Sequence, residues 1–191
     1  HQLGVDPSHY GMYFDGELDS TYNDGALGQV IVTGDFNDDT YIDIAIGMPD
    51  KTINAQDNAG AVFIIYGADA DVVTPNNTHL LSLTTPSAGD KFGASLAVGD
   101  FNNHGGDDLA IGAPGRNDNA KDNAGAVIVF SDNDTDSPIT LVQGIAGLPG
   151  GTEENDEFGT SLAVGDFNGD DYDDLVVGVP YEHLASIADA G

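Results

Sequence analysis

The chain has no cysteine and no tryptophan, and only 4 of its 191 residues are lysine or arginine. Without cysteine it cannot form a disulfide framework, a thiol nucleophile or a thiolate metal site. Its 33 acidic residues leave a formal net charge of -29. Such a surface repels nucleic-acid phosphates and anionic lipid headgroups. The composition therefore argues against nucleic acid as a partner.

Long apolar runs are also missing. No stretch approaches the roughly 18 residues of a membrane span, and no basic segment followed by an apolar one opens the sequence. We therefore expect no membrane insertion. The first residue is His1 rather than Met, which predicts an N-terminus that was trimmed, processed or cut from something longer. With 26 glycines and few helix formers, the composition favours a turn-rich β protein.

One unit occurs three times along the chain, and such internal repetition is the first guide to a fold. It reads LGQVIVTGDFNDDTYIDIAIGMP from Leu27, FGASLAVGDFNNHGGDDLAIGAP from Phe92 and FGTSLAVGDFNGDDYDDLVVGVP from Phe158. The units lie about 65 residues apart. A second shared block, NAGAV, follows in the first two units, whereas the third stops where this block begins.

Each unit predicts four short strands. One apolar run ends at a Gly-Asp turn, a second ends in a proline that cannot extend the ladder, and a third follows Asn-Ala-Gly. A fourth, more polar run closes the unit. Four short strands with Gly, Asp and Asn turns are typical of a β-propeller blade. The sequence thus predicts an all-β fold of about three four-stranded antiparallel blades in an open or incomplete propeller.

The predicted domain boundaries follow the repeats. They are an N-terminal segment over 1–26 with a strand from an adjoining blade, a first repeat over 27–91, a second over 92–157 and an incomplete third over 158–191. Closed propellers have typically 4 to 8 blades, so these units leave open strand edges that need partners. The chain is expected to be a fragment of a larger propeller or to be completed by another chain. Copies that exchange strands head to tail would form a ring or a filament.

Acidic nine-residue loops join the first and second strands of every unit. They read DFNDDTYID from Asp35, DFNNHGGDD from Asp100 and DFNGDDYDD from Asp166. Oxygen side chains at positions 1, 3, 5 and 9 and the carbonyl of position 7 can converge on one point, and Ca²⁺ takes about 6 to 8 oxygen ligands. Turn preference alone explains Asp, Asn and Gly in a loop. It does not require carboxylates at positions 1, 5 and 9, which repel one another.

The first and third loops have the full oxygen set and are predicted calcium sites. Their expected ligands are Asp35, Asn37, Asp39, the Tyr41 carbonyl, Asp43, Asp166, Asn168, Asp170, the Tyr172 carbonyl and Asp174. In the second loop position 5 is His104, a nitrogen donor poorly matched to calcium. The other expected ligands there are Asp100, Asn102, the Gly106 carbonyl and Asp108. A weaker or empty calcium site is expected in this loop, and a zinc site would depend on a single imidazole among carboxylates.

These motifs resemble the FG-GAP repeats of integrin α-subunit propellers and of many bacterial extracellular proteins. Phe92-Gly93 and Phe158-Gly159 match the FG, and Gly112-Ala113-Pro114 matches the GAP. The loops match the calcium motif D-x-[DN]-x-[DN]-G-x-x-D of the family. Thr40 and Asp171 stand where that motif prefers glycine, which implies strain in the turn.

The resemblance implies blades of a seven-bladed propeller, with calcium on the face away from the usual ligand surface and a structural role for the ion. It further implies a non-enzymatic protein, extracellular or at the cell surface, that acts in adhesion or as a subunit of a surface assembly. The expected partners are other protein chains, copies of itself through open blade edges, a glycan or a surface receptor. Two alternatives stay open, namely the propeller portion of a larger extracellular hydrolase and a glycan-binding lectin.

Other features of the sequence that could suggest a function have simpler structural interpretations. The pairs Asp107-Asp108 and Asp173-Asp174 suggest a glycosidase acid and base, but adjacent strand residues point to opposite faces. The aromatic residues at loop position 2 are interpreted as packing anchors; they are Phe36, Phe101 and Phe167. N-glycosylation sequons begin at Asn76 and Asn133. The acidic run from Ser131 to Ser137 is expected to be a solvated loop.

Overall fold

The computed structural model describes residues 28–68, 77–131, 134–145 and 150–182. In these ranges the chain is all β, and ten strands form antiparallel sheets of four, four and two strands, none of which closes on itself. This architecture confirms the predicted fold class of open propeller blades. No helix in the described ranges has the length and apolar character needed to span a membrane.

The three sheets repeat one topology, in which the strands pair in chain order. Blade 1 contains β1 (Val30–Gly34), β2 (Asp43–Met48), β3 (Ala61–Ile65) and β4 (Thr78–Leu81). Blade 2 contains β5 (Ser95–Gly99), β6 (Asp108–Ala113), β7 (Ala126–Ser131) and β8 (Asp134–Leu141). Blade 3 contains β9 (Leu162–Gly165) and β10 (Asp174–Val177). In every blade the glycine that ends the first strand pairs with the aspartate that begins the second, so each acidic loop starts from the same strand pair.

The hydrophobic core lies between the blades. In β3, Val62 packs between blades 1 and 2, whereas Phe63 packs on the other side of blade 1. Phe92 and Phe130 of blade 2 belong to the first cluster, with ring centroids 6.5 Å apart in an edge-on arrangement. A further cluster around Val127 joins blades 2 and 3. Because both faces of the inner strands are covered, these strands are continuous apolar runs rather than alternating ones.

Two glycines allow neighbouring blades to approach each other closely. A Cβ on Gly34 would lie 2.8 Å from Val98 Cγ1, and a Cβ on Gly99 would lie 2.5 Å from Val164 Cγ1. Real Cβ atoms are not found this close to another carbon, so both positions need glycine for steric reasons. The glycine of the recurring Gly-Asp turn therefore allows the blades to pack closely, while the aspartate begins the acidic loop.

The last strand of blade 2 differs from the sequence-based expectation. Of the run from Ser131 to Ser137, expected to be a solvated loop, Ser131 is the last residue of β7 and pairs with Asp134, and residues 134–137 belong to β8. Pro138 lies within β8 and is tolerated because β8 is an edge strand of its sheet. Several expected features lie outside the described residues: the strand between Tyr10 and Leu18, Asn76 and Asn133 of the sequons, and the segment 183–191.

Candidate metal-binding loops

The aspartate at position 1 organises each acidic loop. Asp35 accepts hydrogen bonds from the amides of Asp39 at 3.1 Å and Thr40 at 2.8 Å. The amides at the same two positions, 5 and 6, donate to Asp100 in the second loop and to Asp166 in the third. The carboxylate of position 1 therefore lies inside the turn in all three loops.

The aspartate at position 9 closes the loop from its other end. Asp43 is fully buried and accepts hydrogen bonds from the amides of Phe36 at 2.9 Å and Gly67 at 2.7 Å. Asp108 and Asp174 likewise accept a hydrogen bond, at 3.0 Å, from the amide at position 2 of their own loops. Both ends of the loop are thus held by hydrogen bonds that backbone amides donate to carboxylates. Such bonds are stronger than hydrogen bonds between two neutral groups.

The carboxylates of the first loop are close enough to repel one another. Burial is the main cause that raises the pKa of Asp43, and the charges of Asp39 and Asp35 add to the rise, while its two amide hydrogen bonds oppose it. The pKa of Asp166 is lowered, chiefly by a hydrogen bond from the Gly169 amide at 2.7 Å. A bound cation would remove the repulsion in the first loop.

The donor atoms of the first and third loops fit a hard cation. Positions 1, 3, 5 and 9 offer oxygen side chains, as Ca²⁺ prefers. In the first loop Asn37 accepts a hydrogen bond from the Asp39 amide at 3.2 Å and donates to the Asp39 carboxylate at 3.0 Å, so positions 3 and 5 lie side by side. Among the described residues no three acidic or histidine side chains form a metal cluster on their own. The three carboxylates of the first loop, Asp35, Asp39 and Asp43, would therefore have to draw together around a cation, with the asparagine oxygen and the position 7 carbonyl completing the ligand set.

Position 5 distinguishes the second loop. The His104 amide donates to Asp100 at 3.1 Å and to Asn102 at 2.8 Å, as the Asp39 amide does in the first loop. Asn102 also donates through its side chain to Asp108 at 3.0 Å. The second loop thus keeps the shared backbone shape but lacks one of the carboxylates.

Positions 4 and 6 of the loops have left-handed backbone conformations. The φ angle is 54° at Asp38 and 74° at Thr40, and it is 80° at Gly169 and 68° at Asp171. Residues with a side chain are strained by roughly 1–2 kcal/mol in this region, most of all when they are β-branched. The strain implied by the FG-GAP motif at Thr40 and Asp171 is therefore present in the turn.

Sequence reasoning missed the role of position 8. The Asp107 carboxylate accepts a hydrogen bond from the Asp35 amide at 2.7 Å, and the Asp107 amide donates to the Asp35 carbonyl at 2.9 Å. Asp173 forms the same two hydrogen bonds with Asp100, at 3.0 and 3.2 Å. We call this pair of hydrogen bonds between successive blades the interblade clasp. The signal for it was the Asp-Asp pair that recurs at positions 8 and 9.

The clasp also bears on the glycosidase interpretation. Asp173 contacts the preceding blade, whereas Asp174 accepts a hydrogen bond from the Phe167 amide of its own loop. The two carboxylates point in different directions, as expected for neighbouring residues at the start of a strand. They do not face each other across a common substrate position, which a glycosidase pair requires.

The aromatic residues at position 2 are packing anchors in the two blades that have a following blade among the described residues. Phe36 is 7% exposed and packs between blades 1 and 2, and Phe101 packs partly buried between blades 2 and 3. Phe167 in blade 3 is 65% exposed. The packing interpretation is confirmed for the first two rings.

Comparison with known proteins identifies the repeat. The FG-GAP repeat model matches residues 92–130 and 158–191. The chain is an FG-GAP repeat protein. The match does not include blade 1, yet blade 1 has the strand order and register of blade 2, so the structure adds a third copy of the FG-GAP unit.

Relatives of this FG-GAP chain are similar over most of its length. Integrin alpha-PS2 of Drosophila melanogaster is 33% identical over 172 residues, which is 87% of this chain and 11% of the integrin. Integrin alpha-5 of Xenopus laevis is 30% identical over 169 residues, 85% of this chain and 14% of the integrin. The phosphatidylinositol-glycan-specific phospholipase D of Bos taurus is 31% identical over 165 residues, 81% of this chain and 19% of the enzyme. The FG-GAP chain thus spans less than a fifth of each of these relatives.

Proposed function

We propose that this FG-GAP chain is a calcium-binding, extracellular repeat protein that acts in adhesion by contacting other protein chains. The observation that carries the proposal is the oxygen-rich loop, which has the same hydrogen-bonded shape in all three blades. Similarity to integrin alpha subunits over more than four-fifths of the chain supports the adhesive role and the location. Extracellular modules bind calcium at about 10⁻⁴–10⁻³ M, an affinity suited to calcium-rich surroundings.

The loop residues connect ion binding to blade packing. In the first loop the ion would be held by Asp35, Asn37, Asp39, the Tyr41 carbonyl and Asp43. The third loop offers the equivalent set of Asp166, Asn168, Asp170, the Tyr172 carbonyl and Asp174. A bound Ca²⁺ supplies positive charge that offsets the repulsion among the carboxylates. Because the backbone of Asp35 also forms the interblade clasp, ordering of this loop supports the next blade.

Calcium binding is tested with two neighbouring carboxylates of one loop. Asp39→Ala removes a proposed ligand oxygen and one negative charge at position 5, whereas Asp38→Asn removes the same charge at position 4, which is exposed and outside the ligand set. Calorimetric titration should show loss of one ion in Asp39→Ala and unchanged stoichiometry in Asp38→Asn. Equal weakening by both variants would indicate only a diffuse charge effect and would contradict the site.

The third and second loops provide further arms of this titration. Asp170→Ala and Asp171→Asn repeat the ligand and control comparison in the third loop. His104→Asp restores the missing carboxylate of the second loop, and it should add one ion at saturating calcium. A variant that binds no additional ion would show that position 5 is not what weakens this loop.

An enzymatic context is the second candidate, and the phospholipase D similarity favours it. In that case the chain would be the propeller portion of a larger hydrolase, with catalytic residues elsewhere. Because those residues would lie outside this chain, the assay uses the native protein purified from its source: turnover of a phosphatidylinositol-glycan substrate supports the hydrolase, whereas the adhesion proposal expects none. A glycan array tests the lectin alternative in the same preparation.

A separate proposal is that the chain assembles into filaments through the edge of a strand rather than through the acidic loops. Among the described strands β10 pairs only with β9, so its other edge offers backbone groups to a strand of another chain. Electron microscopy with calcium and with chelator should show filaments only in calcium if strand exchange occurs. Single particles under both conditions would exclude this mode of assembly.

A further inference from the structure

The third acidic loop contains the one Asn-Gly pair of the sequence, Asn168-Gly169. Asparagine is a chemically labile residue, because the backbone nitrogen of the next residue can attack its side-chain Cγ. A following glycine has no Cβ that hinders this approach. The first and second loops have Asp38 and Asn103 after their position 3 asparagine. The third loop therefore differs from the other two in the chemical stability of a proposed ligand.

The side chain of Asn168 is also held less firmly than its counterparts. The Asn37 side-chain oxygen accepts a hydrogen bond from the position 5 amide at 3.2 Å, and the Asn102 oxygen does so at 2.8 Å. Among the described residues, the position 5 amide of the third loop donates to Asp166 alone, and the Asn168 side chain has a single hydrogen bond, to Asp174 at 3.4 Å. Asn168 is exposed, whereas Asn37 and Asn102 are half-buried. Its side chain is therefore the freest of the three to rotate toward the following nitrogen.

The attacking nitrogen would belong to Gly169. Its N–H donates to Asp166 Oδ1 at 2.7 Å, and this hydrogen bond fixes the N–H toward the inside of the loop. A Cβ on Gly169 would meet nothing within 4 Å, so the peptide has room to turn once the hydrogen bond is broken. Exposed loops open locally at low free-energy cost. The reaction therefore needs an open loop, and an ion bound to Asp166 would keep the loop closed.

We propose that Asn168 is a site of spontaneous deamidation and that calcium in the third loop protects it. The bond between the Gly169 nitrogen and Asn168 Cγ forms, and the bond between Cγ and Nδ2 breaks. The proton of the Gly169 nitrogen leaves with Nδ2 as ammonia. Water then opens the resulting succinimide ring at either carbonyl, which gives aspartate or isoaspartate. The protection rests on the calcium proposal, whereas the site itself does not.

The two products affect the proposed ion site differently. Aspartate retains a side-chain oxygen at position 3, a ligand that Ca²⁺ accepts. Isoaspartate carries the backbone through the former side-chain carbonyl, which adds one methylene to the chain between Asp166 and Asp170. The ligands on either side of the added methylene then move apart. The isoaspartate fraction, separated by ion exchange, should therefore bind one ion fewer, and equal stoichiometry would overturn this effect.

The site is tested by incubating the full chain with chelator at mildly alkaline pH. Peptide mass spectrometry that separates aspartate from isoaspartate follows Asn37, Asn102 and Asn168 in one sample. We expect Asn168 to react several-fold faster than the other two, because it precedes glycine and has the loosest side chain. Equal rates at the three asparagines would overturn the site.

Two variants separate the glycine from the hold on the side chain, and each places a residue that this fold already has at loop position 4. Gly169→Asp copies the first loop, so the reaction of Asn168 should fall to the level of Asn37. Asp38→Gly creates an Asn-Gly pair in the first loop, where Asn37 keeps its hydrogen bonds with Asp39, so Asn37 should still react more slowly than Asn168. Undiminished reaction in Gly169→Asp would overturn the role of glycine. Equal rates at both Asn-Gly pairs would overturn the role of the loose side chain.

The protection is tested by comparing the rate in calcium with calorimetric titration of the same protein. A ligand that binds only the closed loop, at about 100 times its Kd, lowers the open fraction about a hundredfold. The reaction of Asn168 should thus slow by at least about tenfold in calcium. A third loop that binds calcium while Asn168 reacts undiminished would overturn the protection alone. A third loop that binds no calcium would overturn the protection together with the calcium proposal, and a faster reaction at Asn168 than at Asn37 would then still support the site.

Discussion

At the residue scale, the aspartate at loop position 1 has two separate roles. The Asp35 side chain orders its own loop through the Asp39 and Thr40 amides, while its backbone amide and carbonyl hold Asp107 of the next blade. Side chain and backbone of one residue therefore link the candidate ion site to the stacking of blades. A change in either role is expected to affect the other through the short, strained loop.

The clasp can be tested by removing its acceptor. Asp173→Ile leaves the Asp100 amide without its hydrogen-bond partner, which should lower the free energy of unfolding by about 1–3 kcal/mol. Urea unfolding gives the stability, and hydrogen exchange of the Asp100 amide reports the local loss. Asp171→Asn removes the same charge from the loop without touching the clasp. Unchanged exchange at Asp100 in Asp173→Ile would show that the clasp does not hold the blades together.

Strain at position 6 leads to a stabilising substitution. Thr40 has φ of 74°, so Thr40→Gly relieves roughly 1–2 kcal/mol of strain and costs about 0.5–1 kcal/mol of backbone entropy. We expect a net gain of roughly 0.5–1 kcal/mol in calcium-free urea unfolding. Thr33→Gly in β1 is the control and should destabilise the chain. Loss of stability in Thr40→Gly would mean that the threonine side chain contributes more than its strain costs.

At the element scale, the first strand of each blade is adapted to its neighbour. The inner strand β3 of blade 1 is apolar on both faces, because Val62 packs against blade 2 and Phe63 packs against other residues of blade 1 on the opposite face. The glycine at the end of the first strand is demanded by a valine from the following blade, in Gly34 and Gly99 alike. The same glycine in blade 3, Gly165, meets no such neighbour among the described residues.

This contrast gives a matched pair of substitutions. Gly99→Ala places a methyl group 2.5 Å from Val164 Cγ1 and 2.9 Å from the Asp173 carboxylate, and overpacking of this kind costs about 1–3 kcal/mol. Gly165→Ala contacts only the exposed Phe167 ring and should change the unfolding free energy by less than about 0.5 kcal/mol. Thermal and urea unfolding of both variants checks the difference. Equal effects would mean that intrinsic glycine preference, rather than blade contact, sets both positions.

At the scale of the whole molecule, the main electrostatic property is the large net negative charge. A net charge of -29 on 191 residues produces self-repulsion that disfavours the compact state. The acidic loops concentrate part of this charge beside the interblade contacts. Cations bound in the loops would therefore stabilise the blades and their stacking together.

Chelation is the corresponding measurement. A ligand present at 100 times its Kd stabilises the folded state by about 2.7 kcal/mol for each site, and for a chain of this size each kcal/mol shifts Tm by about 2–4 °C. Removal of calcium with a chelator should therefore lower Tm by at least several degrees. Sodium chloride at matched ionic strength is the control, because it screens charge without filling a site. A Tm restored equally by sodium would contradict specific binding.

The repeats, the strands and the acidic loops could be predicted from sequence, because turn chemistry and apolar runs act over a few neighbouring residues. Asp35 and Asp166 stand at the same place in the same pattern, and both loops have the same backbone shape. The start of β8 at Asp134 could not be predicted, since an acidic run favours a loop until pairing with β7 extends the hairpin.

Contacts between blades were decided by tertiary structure alone. Phe36 and Phe167 occupy the same position in the same motif, yet they are 7% and 65% exposed, because only Phe36 has a following blade packed on it among the described residues. Asp107 and Asp108 are adjacent and chemically identical, but one contacts blade 1 and the other its own loop. Local sequence sets the shape of each blade, whereas long-range packing decides which of its equivalent residues become buried, paired or open.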